Sequence, residues 1–335
     1  MTDDGDSYIL TALNDSQREA ARHVDGPLLV FAGPGTGKTR MVVHKIAHLI
    51  GDRGYGADQV LALTFSESAA EEMKERIAQL LPGRARVRIT TFHSFCNELI
   101  RDHSLDVGIN MTSGVMTEEH QKTFLLEHLD QAGLESLKVP VRPIELARDL
   151  HGTIMRLKQE NVPLQRLEEY LGTLGGEDGH NDDDETARMR DVARAYRLYE
   201  EFKTRRSLID FGDMQHLALR LLRDRPAVLD SLRQRYRYFI VDEFQDTDYT
   251  QLQILLALAG EGNVTVVGDD DQSIYRFRGA YLTNVHEFLR HFGDAGVEVK
   301  ETVLHRNYRC TGNIQSVATT LIRNNPERQD KHIDT

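Results

Sequence analysis

The 335-residue chain contains no tryptophan and only two cysteines. Cys96 and Cys310 lie far apart, so the sequence offers neither a disulfide framework nor the paired spacing of a zinc site. No hydrophobic run approaches the length that a membrane span needs, and no secretory segment follows Met1. These absences argue against a disulfide-rich secreted domain and against a membrane protein. We therefore expect a cytoplasmic protein in a reducing setting, without a membrane partner.

Positive charge is also scarce, since 41 Lys and Arg residues stand against 53 Asp and Glu residues, for a formal net charge of −12. This charge argues against a protein that coats nucleic acid through bulk charge, but it does not exclude a local basic groove. Part of the acidity lies in residues 177–185, which we interpret as a solvated loop, with an acidic metal site as the alternative. The length allows two or three folded domains.

A glycine-rich segment, AGPGTGKT at residues 32–39, is the most informative stretch of the sequence. It follows an apolar run at 27–31 that predicts a buried strand, and it precedes a helical pattern at 41–50. Strand, glycine-rich turn and helix form the setting in which backbone N–H groups and a helix N-terminus bind phosphate. Lys38 is expected to reach the β- and γ-phosphates, and the Thr39 hydroxyl to hold Mg²⁺. The alternative is a glycine-rich turn that binds nothing.

Strand and helix patterns alternate around this segment. Further buried strands are predicted at 60–65, 87–92, 236–243, 263–269 and 302–304. Alternation of this kind predicts a mostly parallel sheet with ligands at the carboxyl ends of its strands, where Phe65, Thr91 and His93 fall. Phe92 is predicted to belong to the core. For Phe65, a core position and a ligand contact both remain open.

Between about residues 111 and 225 the strand patterns disappear and helical periodicity replaces them. Helices are predicted at 118–129, 143–158, 187–203 and 211–222. We interpret this region as an inserted all-helical domain with the acidic run in its middle. Near the N-terminus, Asn14 or Asp15 is predicted to cap a helix whose first turn contains Gln17. A side-chain amide can both donate to and accept from an adenine edge.

The strand at 236–243 ends in the acidic pair that a phosphate-binding loop requires. Asp242 is expected to hold Mg²⁺, while Glu243 orients and deprotonates the attacking water. After the strand at 263–269, residues 270–280 interleave aromatic residues with arginines. This mixture suits stacking on nucleic-acid bases with phosphate contacts nearby.

Together these segments resemble the UvrD/Rep/PcrA family of superfamily 1 DNA helicases, in the family's order and over nearly the whole chain. The matching segments are LNDSQREAA (Q motif), AGPGTGKTR (motif I), LALTFSESAAEEMKERI (motif Ia), ITTFHSFC (motif Ib), VDEFQDTDYTQ (motif II), VVGDDDQSIYRFRGA (motif III) and LHRNYRCTGNI (motif IV). The resemblance implies an α/β fold: a P-loop NTPase (RecA-like) parallel sheet with an inserted all-helical domain and the start of a second RecA-like domain. The implied bounds are 1–112 and 226–300 for the ATP-binding motor domain, 113–225 for the insertion and 301–335 for the second motor domain.

The resemblance also implies a role for individual residues. The ATP contacts are Gln17 on adenine, Tyr308 stacked on it, and Gly33, Gly35, Thr36, Gly37, Lys38, Thr39 and Arg40 on the triphosphate. The residues of the hydrolytic step are Lys38, Glu243 as the base, Asp242 with Thr39 for Mg²⁺, Gln272 as the γ-phosphate sensor coupled to DNA, and Arg309 as an arginine finger. The single-strand contacts are Phe65, Thr91, His93, Tyr275, Phe277 and Arg278.

Some positions depart from the family pattern. Ala32 replaces the first glycine of the phosphate loop, and Ser66-Glu67-Ser68 replaces a basic position of motif Ia, which removes one expected DNA backbone contact. Phe277 stands where the family often has tryptophan and offers a smaller stacking face. Motifs V and VI, with a second arginine finger, are absent from the sequence. We therefore expect a longer protein or a second polypeptide to supply them.

The sequence thus predicts an ATP-dependent 3′–5′ DNA helicase or translocase, with ATP and Mg²⁺ as cofactors and with single-stranded DNA and duplex junctions as partners. One alternative is an ATP-sensing, DNA-binding module without turnover, because motifs V and VI are missing. A small-molecule kinase is a further alternative. The long spacing from Lys38 to Asp242 and the aromatic–arginine segment argue against the kinase.

Overall fold

The computed structural model describes residues 7–83, 87–110, 113–137, 142–174, 184–272, 281–324, 331 and 333–334. The chain forms two compact units: unit 1 comprises Met1–Phe95 and Leu222–Thr335, and unit 2 comprises Cys96–Leu221. The predicted DNA contacts Tyr275, Phe277 and Arg278 lie outside the described residues, as does most of the acidic run at 177–185. The functional domain assignments stay predictions.

A six-stranded, fully parallel sheet in the order β3-β2-β6-β7-β1-β8 forms the centre of unit 1. The strands of the chain are β1 (Pro27–Ala32), β2 (Val60–Thr64), β3 (Arg88–Thr91), β4 (Gly114–Val115), β5 (Leu208–Ile209), β6 (Tyr238–Val241), β7 (Asn263–Gly268) and β8 (Lys300–Leu304). Every residue of β1 is buried, as expected for a strand covered on both faces of a parallel sheet. The predicted α/β class with a parallel sheet is confirmed.

Helices connect these strands and make up most of unit 2. They are α1 (Tyr8–Thr11), α2 (Asp15–Arg22), α3 (Lys38–Gly51), α4 (Glu67–Leu80), α5 (Phe92–Asp102), α6 (Ser104–Val107), α7 (Glu118–Glu127), α8 (Pro143–Gln159), α9 (Leu164–Leu174), α10 (Asp184–Arg206), α11 (Phe211–Asp224), α12 (Pro226–Arg235), α13 (Tyr249–Ala259), α14 (Tyr281–Asp294) and α15 (Gly312–Ile322). None of the helices in the described part of the chain is long and apolar enough to cross a membrane.

The core of unit 1 surrounds α3. All residues of this helix from Met41 to Ile50 are buried, and they pack with side chains of the sheet such as Leu28 and Val30. A helix buried on every side holds its first turn in a fixed position relative to the strand that precedes it. β8 pairs in parallel with β1, so residues 300–304 extend this sheet, while the prediction of a second motor domain from residue 301 stays a prediction.

Unit 2 has its own core, in which the aromatic residues Phe124, Tyr196 and Tyr199 pack against the aliphatic residues of α7, α8 and α9. Two details differ from the predicted all-helical insertion. Helix α9 was not among the predicted helices, although Leu164, Leu167 and Leu171 recur at helical spacing. The parallel pair β4–β5 was missed because each strand has two residues and its partner lies far along the chain.

Candidate active site

The loop between β1 and α3 turns through two glycines in the left-handed region, Gly35 (φ 73°) and Gly37 (φ 82°). A Cβ at Gly35 would lie 2.4 Å from Asn307 Oδ1, and one at Gly37 would lie 2.6 Å from Gln17 Nε2. Both positions therefore need glycine for conformation and for space. Gly37 precedes the first turn of α3 and has no side chain that could cap it, so backbone N–H groups there can bind an anion.

The acidic pair follows β6 directly and meets this loop. Lys38 Nζ donates to Glu243 Oε2 at 2.8 Å. Glu243 has a φ of 53°, a left-handed conformation that residues with a Cβ adopt infrequently. Burial alone would raise the pKa of Glu243, but the charge of Lys38 and hydrogen bonds from Lys38 and Gln245 lower it. The structure thus brings together the lysine and the carboxylate that the sequence predicted to share one pocket.

Asp242, the other member of the acidic pair, is buried, and its Oδ1 accepts from the Glu243 backbone N–H. Burial, and then the neighbouring charge of Glu243, raise the pKa of Asp242 to about 7, against the opposing effects of Lys38 and a backbone hydrogen bond. A buried carboxylate in this condition would be stabilised by a bound cation. Thr39, half-buried in the first turn of α3, supplies a hydroxyl oxygen of the kind that Mg²⁺ accepts. Both residues fit the predicted ion, and their metal-binding roles stay predictions.

Gln245 is a site residue that the sequence analysis missed. Its Nε2 donates to Glu243 Oε2 at 2.6 Å, and its Oε1 accepts from the backbone N–H of Asp269 at 2.9 Å. Gln272, the predicted γ-phosphate sensor, donates from Nε2 to the Asp269 carboxylate. The sequence offered one indication of this role, an amide side chain two residues after the acidic pair. Its partner Asp269 follows another strand, so no local pattern could reveal the contact.

Gln17 is buried at the start of α2, and its amide supports the phosphate loop. Nε2 donates to the Thr36 carbonyl oxygen at 2.8 Å, and Oε1 accepts from the Asn14 backbone N–H at 3.3 Å. Asn14 caps the helix, and its Nδ2 donates to the Tyr308 hydroxyl at 2.8 Å. The Tyr308 backbone N–H in turn donates to the Gly35 carbonyl oxygen at 2.8 Å. These contacts join the Q-motif and motif IV segments at the loop. The adenine-binding roles of Gln17 and Tyr308 stay predictions.

The two predicted arginines have different settings. Arg40 is exposed and donates from Nη2 to the Ala12 carbonyl at 2.7 Å. The backbone N–H of Arg309 donates to Asn307 Oδ1 at 2.7 Å, and the charge of Arg309 contributes to the lowered pKa of Glu243. Arg309 is therefore near enough to the acidic pair to act on it electrostatically, while its role as an arginine finger stays a prediction.

Comparison with known proteins identifies the family. A model of the UvrD/REP helicase N-terminal domain matches residues 13–293. The chain belongs to the UvrD/REP helicase family. It is 35% identical over 331 residues to ATP-dependent DNA helicase PcrA of Bacillus subtilis (strain 168), and 35% identical over 332 residues to DNA helicase II of Escherichia coli (strain K12). Each alignment covers 98% of this chain, and 42% and 43% of the respective relative. The chain thus spans less than half the length of these relatives.

Among the residues that the resemblance to UvrD/REP helicases assigns to DNA, the three that the structure describes lie at the carboxyl ends of β2 and β3. Phe65 is 44% exposed, which decides against a core position, whereas Phe92 is buried as predicted. Thr91 is buried, and its hydroxyl donates to Glu67 Oε1 at 2.9 Å; the Ser94 hydroxyl donates to the same oxygen at 2.6 Å. His93 is half-buried at the start of α5. Their contacts with DNA stay predictions.

Lys331 is a second residue near this site that no sequence pattern indicated. It is buried, and its Nζ donates to the carboxylates of Asp269 and Asp270 and lies 3.3 Å from Asp271 Oδ2. These three aspartates lie within motif III of the UvrD/REP helicase pattern. Lys331 neutralises part of their charge, so the loop that carries Gln272 is anchored by an ion-pair cluster.

Proposed function

We propose that this chain is the ATP-hydrolysing N-terminal part of a DNA helicase or translocase that moves 3′ to 5′ along single-stranded DNA. The names of the relatives support ATP and DNA as ligands. The observation that carries the proposal is the 2.8 Å pair of Lys38 and Glu243 beside the open N-terminus of α3. We place its action in the cytoplasm, where the free thiols of Cys96 and Cys310 stay reduced.

In this proposal the triphosphate lies along the glycine loop and competes with Glu243 for Lys38. Backbone N–H groups at the start of α3 and the Lys38 ammonium then bind the phosphates. Glu243 loses its lysine partner, which raises the basicity of its carboxylate just as the substrate arrives. Glu243 accepts a proton from the attacking water, and Arg309 stabilises the charge that develops on the transferred phosphoryl group.

Mg²⁺, when bound, would supply positive charge that neutralises the phosphates. Thr39 and Asp242 are the residues proposed to hold it. The raised pKa of Asp242 supports this assignment, because a buried carboxylate that favours its neutral form without a cation is stabilised in its ionised form by one.

The proposal assigns DNA to the strand ends that carry Phe65, Thr91 and His93, and to the aromatic–arginine segment with Tyr275, Phe277 and Arg278. A second motor half, from a longer chain or another polypeptide, is proposed to complete the nucleotide cleft. Helix α15 supports this, because it exposes a row of apolar side chains: Ile314 (58%), Val317 (72%) and Leu321 (73%). Such a row one helical turn apart suits packing against further protein.

Steady-state ATP hydrolysis with and without single-stranded DNA tests the proposal, first on this chain and then with a second motor half added. DNA-stimulated turnover that Glu243→Gln abolishes, with nucleotide binding retained, is the expected result. Lys38→Ala should lose nucleotide binding. Nucleotide and DNA binding without turnover under either condition would favour the ATP-sensing module instead.

Direction of movement needs a separate experiment. Displacement of a labelled strand is measured on duplexes with either a 3′ or a 5′ single-stranded tail. Unwinding that requires the 3′ tail is expected. Preference for the 5′ tail would refute the proposed polarity and leave the hydrolytic proposal intact.

A further inference from the structure

Asp269 is a fixed point in unit 1 at which several side chains meet. Its side chain is buried, and its carboxylate accepts hydrogen bonds from Gln272 and from Lys331. Moving this carboxylate would remove one acceptor of the buried Lys331 ammonium group and the acceptor of the half-buried Gln272 amide, which is unfavourable. The backbone of Asp269 is held with its side chain, so its N–H group offers a donor whose position is set by the fold.

Gln245 connects this fixed point to Glu243. Because Gln245 Oε1 accepts from the Asp269 N–H at 2.9 Å, its Nε2 must point the other way, and it lies 2.6 Å from Glu243 Oε2. An amide has a donor at one end and an acceptor at the other, which both contacts require. A glutamate in this place could accept from Asp269 but could not donate to Glu243, and a methionine could do neither.

The Glu243 carboxylate thus receives two donors on one oxygen, Lys38 Nζ and Gln245 Nε2. In the proposed reaction Lys38 leaves this oxygen for the phosphate, while Gln245 remains because its other end is anchored. The direction of the Glu243 carboxylate in the nucleotide-bound state then depends on Gln245.

We propose that Gln245 is a positioning residue. It keeps the Glu243 carboxylate in a fixed orientation relative to the loop that carries Gln272, after Lys38 has left Glu243 to bind the nucleotide. This inference rests on the proposed ATP hydrolysis. Gln245 touches neither the phosphates nor the water in this scheme. Gln245 contacts Glu243 at one end and the Asp269 backbone at the other. The distance between the proposed base and the loop that carries Gln272 therefore stays constant.

Two substitutions test the two ends of the bridge. Gln245→Met keeps the length of the side chain and removes both contacts, while Gln245→Glu keeps the acceptor for Asp269 and removes the donor to Glu243. Both variants should retain the parent's affinity for a non-hydrolysable ATP analogue, with kcat lowered about 10–100-fold, the range for supporting groups around an active centre. Gln121→Met is the matched control: Gln121 is another buried glutamine whose amide is hydrogen-bonded at both ends, on α7 in unit 2, and its substitution should leave kcat unchanged. A packing role alone would leave Gln245→Met active.

Hydrogen exchange at the Asp269 amide measures the bridge independently of turnover. Protection at this amide should persist in the parent with and without the ATP analogue, persist in Gln245→Glu, and fall in Gln245→Met. Equal exchange in the parent and Gln245→Met would refute the bridge even if no variant hydrolyses ATP. If the parent hydrolyses ATP and Gln245→Met matches it, the positioning role is wrong while the proposed function stands. A parent that never hydrolyses ATP contradicts the proposed function, and the exchange result still decides the bridge.

Discussion

Two buried lysines show how differently the two units accommodate charge. In unit 1, Lys45 on α3 donates to the carbonyl oxygens of Ala20 and His23 and lies 5.4 Å from the Tyr238 ring centre, and burial lowers its pKa to about 7. In unit 2, burial would lower the pKa of Lys158 as well, but three surrounding carboxylates raise it well above its usual value. The same side chain is therefore easily neutralised in one unit and fixed as a cation in the other.

The cluster in unit 2 shares its charges among several elements. Lys158 of α8 and Lys203 of α10 both bind Asp210, at 2.7 and 2.9 Å, and both also bind Asp213 of α11 and Glu200 of α10. Unit 1 instead keeps groups such as Lys45 and Asp242 with pKa values of about 7, where a proton or a ligand can change their charge. At these positions, buried charge can change with a proton or a ligand in unit 1 and is fixed by ion pairs in unit 2.

The largest expected effect is a loss of ATP turnover caused by one substitution in unit 1. Glu243→Gln should lower ATP turnover by about 10²–10⁴-fold, because it removes the proton acceptor while keeping the shape of the side chain. Nucleotide binding should persist, and the free energy of unfolding should change little. Turnover by phosphate release, affinity by titration and stability by urea denaturation are measured on the same preparation. Normal turnover would show that the base assignment is wrong.

In unit 2 the corresponding change should act on stability. Asp210→Asn removes the charge shared by Lys158 and Lys203, and should lower the free energy of unfolding by about 3–5 kcal/mol, as expected when one partner of a buried ion pair is lost. Glu168→Gln, in an exposed pair with Arg197, is the matched control and should cost at most about 1 kcal/mol. Equal effects would mean that the buried cluster contributes no more than a surface pair.

The Asp210 cluster also predicts the direction of an acid effect. Burial alone would raise the pKa of Asp210, but Lys158 and Lys203 lower it, so the folded state holds this carboxylate ionised. The corresponding stabilisation is present above the carboxyl pKa of the unfolded chain and is lost as the pH falls below it. Asp210→Asn should therefore differ most from the parent at neutral pH and least in acid.

Lys45 should show a dependence of the same direction, but in a higher pH range. Between about pH 7 and the usual lysine pKa, the unfolded chain binds a proton that the folded chain does not, so stability rises with pH. In that window the parent should gain up to about 1.4 kcal/mol per pH unit relative to Lys45→Met. Urea denaturation at a series of pH values measures this difference, with Lys300→Met as an exposed-lysine control. Parallel pH profiles would show that buried Lys45 keeps its ordinary pKa.

The smallest expected effect concerns the exposed edge of unit 1. Glu67 accepts hydrogen bonds from the hydroxyls of Thr91 and Ser94, where DNA phosphate is proposed to bind. Glu67→Gln should strengthen binding to fluorescent oligothymidine by a few-fold, since it removes a like charge beside the phosphate. Glu71→Gln on the same helix changes the net charge equally and is the control. Equal gains in both variants would mean that net charge, and not this position, sets the affinity.

Local patterns predicted the parts of the site that lie within one short segment. Glycines between an apolar strand and a helix indicated the loop that presents Lys38, and the asparagine or aspartate before Gln17 indicated the capped start of α2. The acidic pair at the end of β6 was visible for the same reason. In each case the residues that determine the structure are neighbours in sequence.

Contacts between distant segments could not be predicted in this way. Gln245 meets Asp269 only because β6 and β7 are adjacent in the sheet, and Lys331 reaches the same loop from far along the chain. Lys158 lies on the same face of α8 as Leu150 and Ile154, but no local pattern indicates that Asp210 is its partner. The burial of these polar residues depends on partners that periodicity does not reveal.

The left-handed backbone at Glu243 has a consequence for how this position can change. Glycine would relieve the conformational strain, which is of order 1–3 kcal/mol for such outliers, yet it would delete the carboxylate. The residue most favourable for folding and the residue needed for chemistry are thus different here. Substitutions at position 243 that stabilise the fold should therefore be the ones that abolish the proposed hydrolysis.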